Sequence, residues 1–141
     1  MRIDPTLQMV CTRYRERLGW PVVADPARNS ARVFIGDLIS ALVVPADEAR
    51  TVLSRALAAD VRCAVFSDAI GSRWTFLVRP SYAPLCDHQV VRRGEHVALP
   101  SLPGVVLATG LRWVVEPQPL DALSDLGALT TAAAPLVAAD R

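Results

Sequence analysis

The chain contains no lysine: all 15 of its basic residues are arginine. They stand against 14 acidic residues, so the formal net charge is only +1. That balance gives no global pull toward nucleic acid or a membrane surface, and any such binding must come from a local cluster. The preference for arginine carries no functional meaning by itself. Cysteine is scarce and odd in number, with Cys11, Cys63 and Cys86 far apart. His88 and His96 are the only histidines, and no cysteine pair has the spacing of a zinc site. The cysteines therefore read as reduced, mostly buried thiols of a cytoplasmic protein. No apolar run approaches the length of about 20 residues that spans a bilayer. Met1-Arg2-Ile3-Asp4-Pro5 lacks the apolar stretch of a signal peptide, so no membrane association is expected. A glycine-rich phosphate loop is also missing: Gly36 and Gly71 stand alone, and Gly94, Gly104 and Gly110 fall in turns.

What the chain does have is apolar residues. They make up 52% of its 141 residues, which excludes disorder for most of the length and implies that a partner covers some apolar surface. The length suits one domain. Its centre is the stretch from Arg62 to Pro80, which reads as two strands around a turn. Cys63 and Val65 point one way on the first strand; Trp74, Phe76 and Val78 alternate with Thr75 and Leu77 on the second. Asp68, Gly71 and Ser72 supply turn chemistry, and Pro80 ends the pairing because it has no N–H. A lone hairpin is unstable, so a larger sheet must surround it.

Before that hairpin, Asp4 caps a helix with Pro5 in its first turn. Leu7, Val10, Cys11, Tyr14 and Leu18 form its apolar face and Gly19 ends it. Arg13, Arg15 and Arg17 could touch phosphate, against the plainer and favoured reading of a solvated helix face. Short strands follow at 20–24 and 31–35, separated by a polar loop over 25–30. Residues 38–44 form an unbroken apolar run, consistent with a strand buried on both faces. Pro45 then gives way to a second helix to about Ala59, with Asp47 and Glu48 at its positive end. The β-α-β order predicts an α/β or α+β domain with a helix packed on a sheet. Further on, the sequence predicts a loop or one short helical turn over 81–90, strands at 90–93 and 96–99 around Gly94-Glu95, and a hairpin of 105–108 with 111–115. A short helix is expected over 121–129, and a frayed tail from Thr130.

Few constellations carry chemistry. Cys86-Asp87-His88 is the most reactive-looking triplet, since Cys86 and His88 can share a strand face, but closeness in sequence alone does not make a catalytic pair. Trp20, Trp74 and Trp113 could each stack on a base, against the plainer role of packing in the core with a satisfied indole N–H.

Several segments nonetheless follow a familiar order. They are Leu18-Gly19-Trp20-Pro21-Val22-Val23 after the first helix, the strand 38–45 before the second, and Gly71-Ser72-Arg73-Trp74-Thr75-Phe76. Gly94-Glu95-His96-Val97-Ala98-Leu99-Pro100-Ser101 and Leu111-Arg112-Trp113 come after them. Across roughly residues 10–118 the chain resembles the bifunctional DNA primase/polymerase N-terminal domains, and especially their short actinobacterial relatives. The resemblance implies a small α/β domain with an RRM-like sheet, mixed or antiparallel, flanked by two helices. Active members carry two metal-binding carboxylates on a strand; the corresponding stretch here, 38–44, has none. Their motif histidine is replaced by Trp74, and Gln89, Val90 and Val91 stand where another acid is expected. Indole and valine cannot replace imidazole and carboxylate in two-metal phosphoryl transfer, so the resemblance implies lost catalysis.

The expectation is thus a prim-pol-like domain over 1–118 and a short helix with an Ala-rich tail over 119–141. Its function is expected to be a non-catalytic nucleic-acid or nucleotide-binding or regulatory module. The competing expectation is a protein-interaction module, homodimeric or with another protein, without nucleic-acid binding. No catalytic residue, metal ligand or cofactor is assigned. The candidate nucleic-acid-binding residues are Arg62, Arg73, Trp74, Arg92, Arg93, His96 and Arg112.

Overall fold

A computed structural model describes residues 4–81, 89–102 and 109–139, with side chains beyond Ala133 left undescribed. The first helix, α1 (Pro5–Leu18), begins and ends as its sequence dictates. Asp4 accepts a hydrogen bond from the Thr6 N–H at 2.7 Å, and Gly19 takes a left-handed φ of +72° that side chains other than glycine resist. Strands β1 (Val22–Asp25) and β2 (Ser30–Phe34) follow, then β3 (Ser40–Pro45) leads without a break into α2 (Ala46–Ala58). The expected hairpin is β4 (Ala64–Ser67) with β5 (Arg73–Val78). Beyond it come β6 (Gln89–Val90), β7 (His96–Leu99), β8 (Arg112–Val115), a single 3-10 turn over Leu120–Ala122, and α3 (Leu126–Ala139).

The class is α+β. Among the described residues the strands divide between two antiparallel sheets, one of three strands in the order β1-β2-β7 and one of five in the order β6-β3-β5-β4-β8. The short helix expected over 121–129 is α3, which starts later and runs further, Leu126–Ala139. Strand β5 lies between β3 and β4, so β3-α2-β4 is a split β-α-β unit. Alternation along β3 and β5 gives the larger sheet two buried faces. Ile39, Ala41, Ala64, Phe66 and Leu77 face α1 and the smaller sheet. Leu42, Val44, Val65, Phe76 and Val78 face α2 and α3. The apolar run through 38–44 is explained by this sandwich.

Two local expectations are corrected. The strand expected at 90–93 is only the two residues of β6, Gln89–Val90, which joins β3 with Leu42 opposite Val90, while β7 joins β2. The turn between them instead sends the chain from one sheet to the other. Gly94 has a φ of +94° and donates its N–H to the Ile35 carbonyl at 2.8 Å. The chain from Thr130 is not a frayed end but continues α3, with Leu129, Thr130 and Ala133 buried against the α2 side of the core. Alanine is the strongest helix former, so the Ala-rich composition read as a tail suits a helix once one face has a surface to bury. The strand expected at 105–108 and the triplet Cys86-Asp87-His88 lie outside the described residues.

Candidate functional site

The turn between β4 and β5 is built by Asp68. Its carboxylate accepts the Ser72 N–H at 2.7 Å and the Ser72 hydroxyl at 2.6 Å, while its own N–H donates to the Arg73 carbonyl at 3.1 Å. The Ser72 hydroxyl bond, reinforced by backbone N–H groups, lowers the Asp68 pKa. Gly71 completes the turn at a φ of +72°.

Beyond this turn the register aligns a row of side chains. Trp74 on β5 stands opposite Val44 on β3 and Ser67 on β4, and Ser67 stands opposite Arg112 on β8. Residues directly opposed on antiparallel strands share a face, here the one that α2 covers. Arg50, near the start of α2, reaches the same place. A shift in register at Val65/Phe66 leaves Val114 outside the pairing and 41% exposed. The result is an open depression of about 320 Å³ bordered by Arg50, Ser67, Gly71, Trp74, Arg112, Trp113 and Val114. Its lining includes two guanidinium groups and no carboxylate. Trp74 is half-buried, whereas Arg50 and Arg112 are exposed. The Ser67 hydroxyl donates to the Asp68 carbonyl at 3.0 Å, which leaves its oxygen as an acceptor. Two planar cations beside an indole can hold an anion that also carries an aromatic or apolar plane.

The remaining expected residues lie elsewhere. Arg73 neighbours Trp74 on β5, so its side chain leaves the opposite face of the strand. Arg62 precedes β4, at the far end of that strand from Ser67, and its N–H is held by the Ser124 hydroxyl at 2.8 Å. Arg92 and Arg93 occupy the turn into β7, where Arg93 is ion-paired with Asp37. His96 opposes Phe34 across the smaller sheet, with ring centroids 4.9 Å apart, and its Nδ1 accepts from Arg32 Nε at 3.2 Å. The seven residues thus do not line one groove: the described depression unites Trp74 and Arg112 alone among them. It adds Arg50, which sequence reasoning left out because α2 reads only as a core-facing helix. The signal available was its place one turn after β3, where a helix returning over a sheet passes above the strand ends.

Trp20 belongs to the core, and Trp113, partly buried, packs against it while also lining the depression. Trp20 stacks on Tyr14 at 5.6 Å and donates its indole N–H to the Gln118 carbonyl at 2.9 Å. Trp113 sits edge-on to Trp20 at 6.1 Å and to Phe66 at 5.6 Å. The Tyr14 hydroxyl donates to the Pro100 carbonyl at 2.7 Å. Burial pushes the Tyr14 pKa well above its usual value, with the Trp113 indole beside it acting in the opposite direction. Burial likewise raises the Cys63 thiol to about 11 and raises Cys11, the latter against the opposing charge of Arg15. These thiols are buried and free. Among the described residues no group of three or more His, Cys, Asp or Glu side chains could hold a metal ion, and no helix is long and apolar enough to cross a membrane. No family model matches this chain, and neither a curated protein nor a solved structure matches it.

Proposed function

We propose that this protein is a non-catalytic binding module of primase–polymerase-like organisation, which holds a nucleotide or a short stretch of single-stranded nucleic acid. The observation that carries the reading is the depression where Arg50, Arg112 and Trp74 meet without a carboxylate. Indole offers a stacking surface to any base, and guanidinium pairs with phosphate through parallel hydrogen bonds. Catalysis is left out of the reading because the strand 38–44 has no carboxylate and Trp74 occupies the position of the resembling family's histidine.

Fluorescence anisotropy with labelled single-stranded DNA and RNA at two salt concentrations tests the reading. The expected result is salt-sensitive binding in the micromolar range that Arg112→Ala weakens about tenfold. Absence of binding at low salt, for oligonucleotides and free nucleotides alike, contradicts it. A second reading, a protein-interaction module, is favoured by Ile70, 85% exposed at the tip of the neighbouring turn. Light scattering on the same sample separates the two, because a stable dimer without nucleic-acid binding supports the second alone.

A further inference from the structure

A second surface, on the other side of the molecule's aromatic core, is shaped for a different kind of ligand. Two depressions, of about 280 and 600 Å³, meet at Arg17 and Leu18 in the last turn of α1. The first is closed by Leu102 and Pro117, the second by Pro119 and Leu120, so that an apolar seat lies on each side of Arg17. Arg13, one helical turn earlier, lines the first. Neither Arg13 nor Arg17 has an acidic partner among the described residues, although Glu116 and Asp121 stand at the trough's opposite wall. Arg79 adds a third cation at the far end, its Nε fixed by the Leu123 carbonyl at 2.6 Å.

The opposite wall determines how a ligand must bind. Pro117 and Pro119 have no N–H, the Gln118 carbonyl is taken by Trp20, and the Pro119 carbonyl is taken by Ala122 at 2.9 Å. The two prolines withhold donors from this wall and two of its carbonyls already accept hydrogen bonds, so a chain lying in the trough is recognised chiefly through its side chains. Successive side chains of an extended peptide alternate in direction, so residues two apart can enter the two seats while the backbone passes Arg17.

We propose that this trough docks a short extended peptide of a partner protein, in which an acidic side chain meets Arg13 and Arg17 and is flanked by two apolar side chains in the seats. The cations decide the sign of the partner, and the seats decide its spacing. This surface is separate from the Trp74 depression and does not depend on it.

The test is selection from a displayed library of random seven-residue peptides on the full chain, followed by titration of the enriched peptides. Enrichment of an acidic residue flanked by apolar residues is expected. Arg17→Glu should weaken those peptides about tenfold or more, and Arg13→Gln with Arg17→Gln should weaken them less, both variants keeping the wild-type circular dichroism. Trp74→Ala should leave them unchanged. Enrichment without an acidic preference, no enrichment, or tight binding that survives Arg17→Glu would each overturn the proposal. So would a dimer that Arg17→Glu dissociates, since the trough would then be filled by a second copy of the chain.

Discussion

At the scale of single residues, the clearest constraint is Gly110. Its φ is +73°, and a Cβ added there would stand 2.8 Å from the Ala69 Cβ in the turn between β4 and β5. Gly110→Ala therefore meets both a backbone and a steric obstacle, and it should lower unfolding free energy by about 1–3 kcal/mol in urea titrations. Ala69→Gly in the same chain should recover the steric part and not the backbone part. The three tryptophans provide a second contrast. Trp113→Ala removes edge contacts to Trp20 and Phe66 and should cost about 3–5 kcal/mol. Trp74→Ala should cost about 1–2 kcal/mol while removing oligonucleotide binding, because among the described residues Trp74 has none of the ring contacts that Trp113 makes with Trp20 and Phe66. Equal destabilisation by the two would mean that Trp74 is an ordinary core residue. Nothing in the sequence separates these indoles beyond their positions in strands; the difference arises when β8 folds Trp113 inward and the register turns Trp74 toward α2.

At the scale of elements, α1 was legible almost to the residue, since Asp4, Pro5 and Gly19 act within a turn of where they stand. The β4–β5 hairpin was legible for the same reason. Long-range pairing was not, because β6 and β7 find their partners across sheets and their sequences state only that each is extended. The same holds for α3, whose helicity depends on a surface supplied by α2. A three-residue stretch anchors its start: Ser124 N–H donates to the Arg62 carbonyl at 2.8 Å, Arg79 N–H donates to the Ser124 carbonyl at 2.9 Å, and Leu126 N–H donates to the Arg79 carbonyl at 2.8 Å. With Leu129 fully buried, Leu129→Ala should cost about 2–5 kcal/mol, as a core substitution does. A change below about 0.5 kcal/mol would return this segment to a surface tail.

At the scale of the whole molecule, three buried acids, Cys11, Tyr14 and Cys63, link the core to pH, the last two most strongly. Cys63 is held neutral to about 11 by burial, and Tyr14 is raised as well. In an unfolded chain the same groups ionise near about 8.5 and 10. The unfolded state therefore loses its protons first as pH rises. Their contribution is complete below about pH 8.5 and declines above it, with a slope of up to about 1.4 kcal/mol per pH unit for each group. Urea midpoints measured between about pH 8 and 10.5 should fall, and Cys63→Ala should make the fall shallower. A flat profile would show that neither group is buried as described. The candidate site was less legible than the fold at this scale. The sequence supplied Trp74 and Arg112, but near-neutral net charge concealed a local cluster that only the return of α2 over the sheet completes with Arg50.

The most direct test of that cluster is a proton–nitrogen correlation spectrum of the labelled protein, titrated with a short single-stranded oligonucleotide. Each of the three tryptophans contributes one indole N–H signal. The Trp74 indole and the backbone signals of Ser67, Gly71 and Arg112 should shift together, while the Trp20 indole, held by Gln118, stays in place. A spectrum unchanged by the oligonucleotide, or one in which the shifts gather around Arg92 and His96 and spare Trp74, would contradict the account.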